Sequence, residues 1–172
     1  MQDADLFLEL AAIAGVFVGF GALIAVRSGG PSVPEEIGMM RGMVAFAVLT
    51  VLAAVAPVTL ARYDLTEHEV WAMSSALVLA GFVGVTALQL RTPEYRAVTV
   101  AESQRARWSI AIRAAALGGM TLVILLIPVV ILLGLTPDLE AALYFTLVVL
   151  WLVGDAWFLL DLVYAQRRPA EA

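Results

Sequence analysis

The chain of 172 residues contains no cysteine, which excludes disulfides, thiol nucleophiles and cysteine-ligated metals. It contains no lysine either, and all ten basic residues are arginine. Schiff-base chemistry and a Ser–Lys catalytic pair are therefore unavailable. A single histidine rules out a haem held by two of them. Charge is scarce, at 15% of residues against 62% hydrophobic. The sequence shows no HExxH motif, no GxSG-like nucleophile motif and no Asp-rich phosphotransfer motif. The expectation is a protein that is not an enzyme and has no cofactor, no metal and no catalytic residues.

What the chain does have is long apolar runs, several exceeding the roughly 18 residues that mark a membrane-spanning helix. The runs are continuous rather than alternating, so a membrane β-barrel does not fit. The N-terminus, Met1-Gln2-Asp3-Ala4-Asp5, is acidic, whereas a secretory signal opens with positive charge. The first run is accordingly taken as a true span. The fold expected is all-α: an integral-membrane helical bundle forming a single domain.

Five spans are predicted, at about 6–26, 37–61, 70–90, 108–135 and 138–164. Arg27-Ser28-Gly29-Gly30-Pro31 is a turn cluster after the first. Ser32 with Glu35, and Thr66 with Glu69, read as capping boxes before the second and third. Thr136-Pro137-Asp138 reads as a cap for the fifth, and Pro57 and Pro128 interrupt spans two and four near their ends. Residues 92–107 are polar and predict an amphipathic segment on the cytoplasmic surface, with Thr99 and Glu102 offering a further cap.

Arginine placement orients these spans. With the N-terminus outside, nine of the ten arginines fall on the inner side and Arg62 alone outside. The C-terminus is then cytoplasmic, and the alternation supports an odd number of spans. Tyr63 and Trp71 outside, with Trp108 and Tyr164 inside, suit aromatic belts. The expected location is a bacterial inner membrane, crossed several times. The net charge of −5 is divided between two faces of a membrane, and nothing carries the logic of nucleic-acid binding. The inner arginine-rich segment, with Tyr95, Val98 and Trp108, suits an anionic inner leaflet.

Spans two and three resemble spans four and five. Arg41 and Pro57 answer Arg113 and Pro128, and Leu65-Thr66 answers Leu135-Thr136. From each Thr it is 18 residues to Gly84 or Gly154. The pattern reads as a leading span followed by a tandem pair of two-helix repeats.

Asp155 is the acid that must lie deep in the hydrocarbon. An acid at the centre of a spanning helix costs roughly 2.5–3.5 kcal/mol on insertion scales, so such residues usually face a bundle interior. One reading is a proton or cation site, since desolvation disfavours the charged form of a carboxyl. The other is an ion pair with Arg41 or Arg113, which enter from the inner side at similar depth. Asp161 lies at the inner interface, suited to pairing with interfacial arginines. Asp155 is six residues deeper, about 9 Å at roughly 1.5 Å per residue. Glu9 sits near a helix N-terminus, where the dipole favours an anion. Glu67-His68-Glu69 resembles an external metal site only weakly, because the capping box accounts for Glu69 and one histidine makes a poor ligand set.

Glycines mark helix-packing faces. Ala11, Gly15 and Gly19 recur every four residues, as do Ala76, Ala80 and Gly84, while Gly38 and Gly42 open span two and Gly154 precedes Asp155. Each proline frees the carbonyl four residues back, which can form a polar notch. Two functions fit. The first is a non-enzymatic accessory subunit or self-associating scaffold, partnered by lipid and by a second copy or another membrane subunit. The alternative is a small proton- or cation-linked transporter or channel that uses Asp155.

Overall fold

A computed structural model describes residues 4–27, 34–94 and 107–165, with side chains for 4–23, 37–38, 40–94 and 118–160. These residues are all-helical, and no strand occurs among them. The helices are α1 (Ala4–Arg27), α2 (Pro34–Leu60), α3 (Glu67–Leu90), α4 (Arg107–Leu132) and α5 (Glu140–Ala165), the last preceded by a 3-10 turn at Pro137–Leu139. Among the described residues, four stretches are long and apolar enough to cross a membrane: Ala4–Leu23, Met40–Leu60, Glu67–Leu90 and Pro137–Leu160. A shorter apolar stretch, Gly118–Leu132, lies in α4. The cap at Ser32 and most of the predicted surface segment fall outside the described residues.

Local chemistry sets the helix ends. At the start of α3 the Glu69 backbone N–H donates to Thr66 Oγ1 at 3.4 Å, and the Thr66 N–H returns a bond to Glu69 Oε2 at 2.7 Å. That is the capping box expected there. The end of α4 comes at Leu132 rather than 135, because Gly134 turns into the left-handed region at φ 59°. The Leu135 N–H reaches Val130 O at 3.3 Å and the Gly134 N–H reaches Ile131 O at 2.9 Å, which closes the last turn as a Schellman motif. Thr136 does not cap with its side chain as its sequence context suggests. A following proline disfavours the helical region for the residue before it, and Thr136 sits at φ −142°. Its main-chain carbonyl accepts from Leu139 N–H at 3.0 Å, and this makes the 3-10 turn instead.

The last helix is the hub: α5 packs against each of the other four. α2 packs on α1 and α3 as well, and α3 also packs on α4. Two aromatic clusters fix this arrangement. Phe7, Trp71, Tyr144 and Phe145 meet at ring separations of 5.5–6.0 Å, which places the N-terminal ends of α1, α3 and α5 together. Phe46 lies against Phe82 and, in parallel planes, Phe158, while Phe82 touches Trp151; this ties α2, α3 and α5 at a second level. Large apolar side chains such as Leu23, Leu52, Leu88 and Leu122 stand on the outside, each more than half exposed. A hydrocarbon solvent tolerates such a surface and water does not.

Pro57 lies inside α2 and has no N–H to give to Ala53 O, four residues back. The fully buried Tyr144 of α5 supplies the missing donor, its hydroxyl giving a hydrogen bond to Ala53 O at 2.8 Å. The notch is filled from within the chain. Interhelical hydrogen bonds in membranes contribute about 0.6 kcal/mol on average and up to roughly 1.7. Tyr144→Phe should therefore lower stability in detergent by about 0.5–2 kcal/mol. In a Pro57→Ala background the restored amide serves Ala53 O, and the same substitution should cost close to nothing. Equal losses in both backgrounds, measured by unfolding titration, would break the link between proline and tyrosine.

Candidate functional site

The buried side chains of α5 include Glu140, Tyr144, Trp151 and Asp155. Their spacings of four, seven and four residues place them on one helical face. At the N-terminal end, Glu140 is 2% exposed, and His68 Nδ1 lies 2.7 Å from Glu140 Oε1. A Cβ on Gly134 would come within 3.4 Å of the His68 ring, so the glycine turn lies against this pair. Because Glu140 holds His68 and Thr66 holds Glu69, the Glu67-His68-Glu69 run is committed to joining and capping helices.

Asp155 lies toward the other end, 2% exposed. Its Oδ2 is 2.8 Å from Oγ1 of Thr50, a residue of α2 with no exposed surface. The same Oγ1 is 3.0 Å from Phe46 O, one turn back in α2. A hydroxyl carries one proton and cannot make a full bond to both acceptors. Two arrangements satisfy the geometry. In one, Thr50 donates to an ionised Asp155. In the other, Thr50 donates to Phe46 O and accepts a proton-bearing Oδ2–H from Asp155. The site can therefore hold a proton with no movement of its heavy atoms.

Arg41 takes a different partner from the one its depth suggests. Its side chain is 61% exposed, and its guanidinium lies 3.3 Å from Glu94 at the end of α3. The long arginine stem carries the charge to the helix end, where solvation costs less than pairing in the core. The side chains of Arg113 and Asp161 lie outside the described residues. Glu9 is exposed near the start of α1.

The glycines divide into two groups. A Cβ on Gly154 would meet Met120 Cε of α4 at 2.7 Å, and one on Gly42 would meet the Gln89 amide at 3.6 Å. Gly38 is buried and lines a cleft between α2 and α3. Gly15, Gly19 and Gly84 have open space where a Cβ would be. Sequence reasoning did not find Thr50, Tyr144 or Glu140. Their spacing with Asp155 along α5 was the available signal for the last two, and nothing in the sequence pointed to Thr50.

No family model, curated protein or solved structure matches this chain. The site must be interpreted from its geometry.

Thr50→Val removes the hydroxyl from a buried carboxyl and should cost about 1–2 kcal/mol in an unfolding titration. Asp155→Asn offers Thr50 both a donor and an acceptor, so it should change stability by less than about 1 kcal/mol. In the Thr50→Val, Asp155→Leu double variant the losses should fall short of additive by roughly 0.5–1.5 kcal/mol. Strict additivity would show that the two residues do not depend on one another.

Proposed function

We propose that the protein is a non-enzymatic membrane scaffold or accessory subunit that associates through helix faces its own fold leaves uncovered. In this reading it spans a bacterial inner membrane five times, with its N-terminus outside, its C-terminus cytoplasmic and α2–α3 and α4–α5 as tandem hairpins. The arginine distribution supports the orientation, and the shared end of α1, α3 and α5 is compatible with alternating spans. The observation that carries the proposal is the open space at Gly15, Gly19 and Gly84. Small residues at four-residue spacing let helices approach closely, yet nothing among the described residues lies within 4 Å of a Cβ placed at these positions. On α3, Ala76 and Ala80 are exposed together with Gly84, so a whole strip of small side chains faces outward. Inside the bundle, the polar groups of α5 are largely bonded to neighbouring helices, as a static core requires. The partner is a second copy or another membrane subunit, within lipid.

A Cβ at Gly15 or Gly19 has nothing within 4 Å among the described residues, so Gly15→Leu and Gly19→Leu should leave the monomer folded as before. Self-association, read by energy transfer between labelled copies in liposomes, should weaken at least about tenfold, a loss of roughly 1.4 kcal/mol. Unchanged association in both variants and in Gly84→Leu would remove self-association as the purpose of these faces and leave a different subunit as partner.

A second reading is supported by the Thr50–Asp155 geometry, which accommodates a proton, and by the lack of any arginine paired with Asp155 among the described residues. It makes the protein a small proton- or cation-linked transporter or channel. Proton flux in proteoliposomes should then be measurable in the wild type and fall to the level of empty vesicles in Asp155→Asn at equal folded content. Absence of flux in both proteins eliminates this reading.

A further inference from the structure

The seam between α2 and α3 is not closed. A cleft of about 170 Å³ opens beside Arg41, Ala45, Val85 and Gln89, and a second of about 360 Å³ opens beside Leu49, Leu52, Leu77 and Gly81. Ala45 and Leu49 are one turn apart on α2, and Gly81 and Val85 are one turn apart on α3. The two clefts therefore follow one another along a single furrow. Leu52 and Leu77, each more than half exposed, show that it opens to the surrounding medium. Beyond Arg41, Gln89, Thr92 and Thr59, whose hydroxyl is bonded to Val55 O within α2, the lining residues are apolar, so the furrow suits a hydrocarbon chain.

One end of the furrow is polar in a particular way. Arg41 and Glu94 face each other at 3.3 Å. Gln89 Nε2, a donor, and Glu94 Oε2, an acceptor, are both buried and have no hydrogen-bond partner among the described residues. The Gln89 amide lies over Gly42, at ordinary van der Waals distance from where a Cβ would be. Buried polar atoms without partners are uncommon and call for an explanation. One molecule that answers both, and brings a chain for the furrow, carries an anionic acceptor and a cationic N–H donor on the same headgroup.

We propose that the α2–α3 furrow binds a phospholipid whose headgroup combines a phosphate with a primary ammonium, that is, a phosphatidylethanolamine. Its phosphate accepts from the Arg41 guanidinium and Gln89 Nε2. Its ammonium donates to Glu94, and one acyl chain lies along Ala45, Val85 and Gly81. The site is independent of the association faces on α1 and on the outer strip of α3.

The test is lipid retention by native mass spectrometry of the full-length protein, delipidated in detergent and offered phosphatidylethanolamine, phosphatidylcholine or phosphatidylglycerol with identical acyl chains. The ethanolamine lipid should be retained about tenfold better than the choline lipid, whose quaternary nitrogen has no N–H for Glu94; that is the ratio expected for losing a charge-assisted hydrogen bond. Phosphatidylglycerol, with no cation, should also fall behind. Glu94→Ala should abolish the preference, Arg41→Ala should lower retention of all three lipids through the phosphate they share, and Ala45→Phe should lower retention of all three by filling the furrow. Equal retention of ethanolamine and choline lipids overturns the proposal, as does a preference that survives Glu94→Ala. If a variant does not fold, the wild-type comparison of ethanolamine with choline lipid decides the matter alone.

Discussion

A polar group buried between helices in hydrocarbon has no water to bond to, and the position of α5 follows from that constraint. It is the helix that touches every other one, and both buried carboxyl groups among the described residues, Glu140 and Asp155, are on it. Glu140 finds His68 at the start of α3, while Tyr144 and Asp155 both find α2. On α5 the latter two are 11 residues apart, about 16 Å along the axis, whereas their partners Ala53 and Thr50 are separated by only about 4.5 Å of helix rise. The two side chains must therefore converge on a single turn of α2. That turn lies immediately before Pro57, where α2 has a carbonyl with no amide of its own to bond. Sliding α5 along α2 by one turn would break both bonds at once, so this turn fixes the register of the central helix pair.

Apolar packing and close approach act around this fixed point. Gly154 lets Met120 of α4 come against α5 one residue before Asp155, and Gly21 does the same for Met43 between α1 and α2. The missing side chains there serve the chain itself. At Gly15, Gly19 and Gly84 they serve nothing within it, because each faces outward beside bulky exposed residues such as Val16, Phe20 and Val83. The same residue type thus marks two kinds of surface, and only the three-dimensional arrangement separates them.

Much of the frame was legible beforehand because its signals are local. Apolar length gave the runs that became α1, α2, α3 and α5, and the Thr66–Glu69 spacing gave a cap that the coordinates contain. Pro57 announced a freed carbonyl from sequence alone. What filled it was not legible: Tyr144 is 91 residues away, and no spacing rule connects them. The cost of a charge in hydrocarbon pointed to an inward-facing Asp155, which is 2% exposed, but depth along the helix offered Arg41 as a partner, and Arg41 pairs with Glu94. Matching Arg41 to Asp155 by level ignores the flexibility of the arginine side chain, which reaches the helix end and Glu94. Thr50 went unnoticed for the opposite reason. A lone threonine in an apolar run bonds its own backbone at i−4 at little cost, as Thr59 and Thr146 do here, and so it carries no signal until a carboxyl is placed beside it.

The polar face of α5 is also interrupted, and this bears on the two functions. Leu147 and Val148 lie between Tyr144 and Trp151 with no exposed surface, and Ile131 packs into the same core. Tyr144 and Asp155 reach the same turn of α2, but the bonds there end on the Ala53 and Phe46 carbonyls, which accept a hydrogen bond and do not pass a proton on. A proton reaching Asp155 from the His68–Glu140 end would have to cross that dry layer, so carriage across the bundle requires α5 to shift against α2 or water to enter. Either event would open the turn at Thr50 and Ala53 on which both helices are registered. A scaffold needs the opposite: a layer that stays dry and a register that does not change. The arrangement in which Asp155 and Tyr144 clamp one turn of α2 from two directions suits a core whose register is fixed, and it supports the proposal of a scaffold that acts through its outer faces.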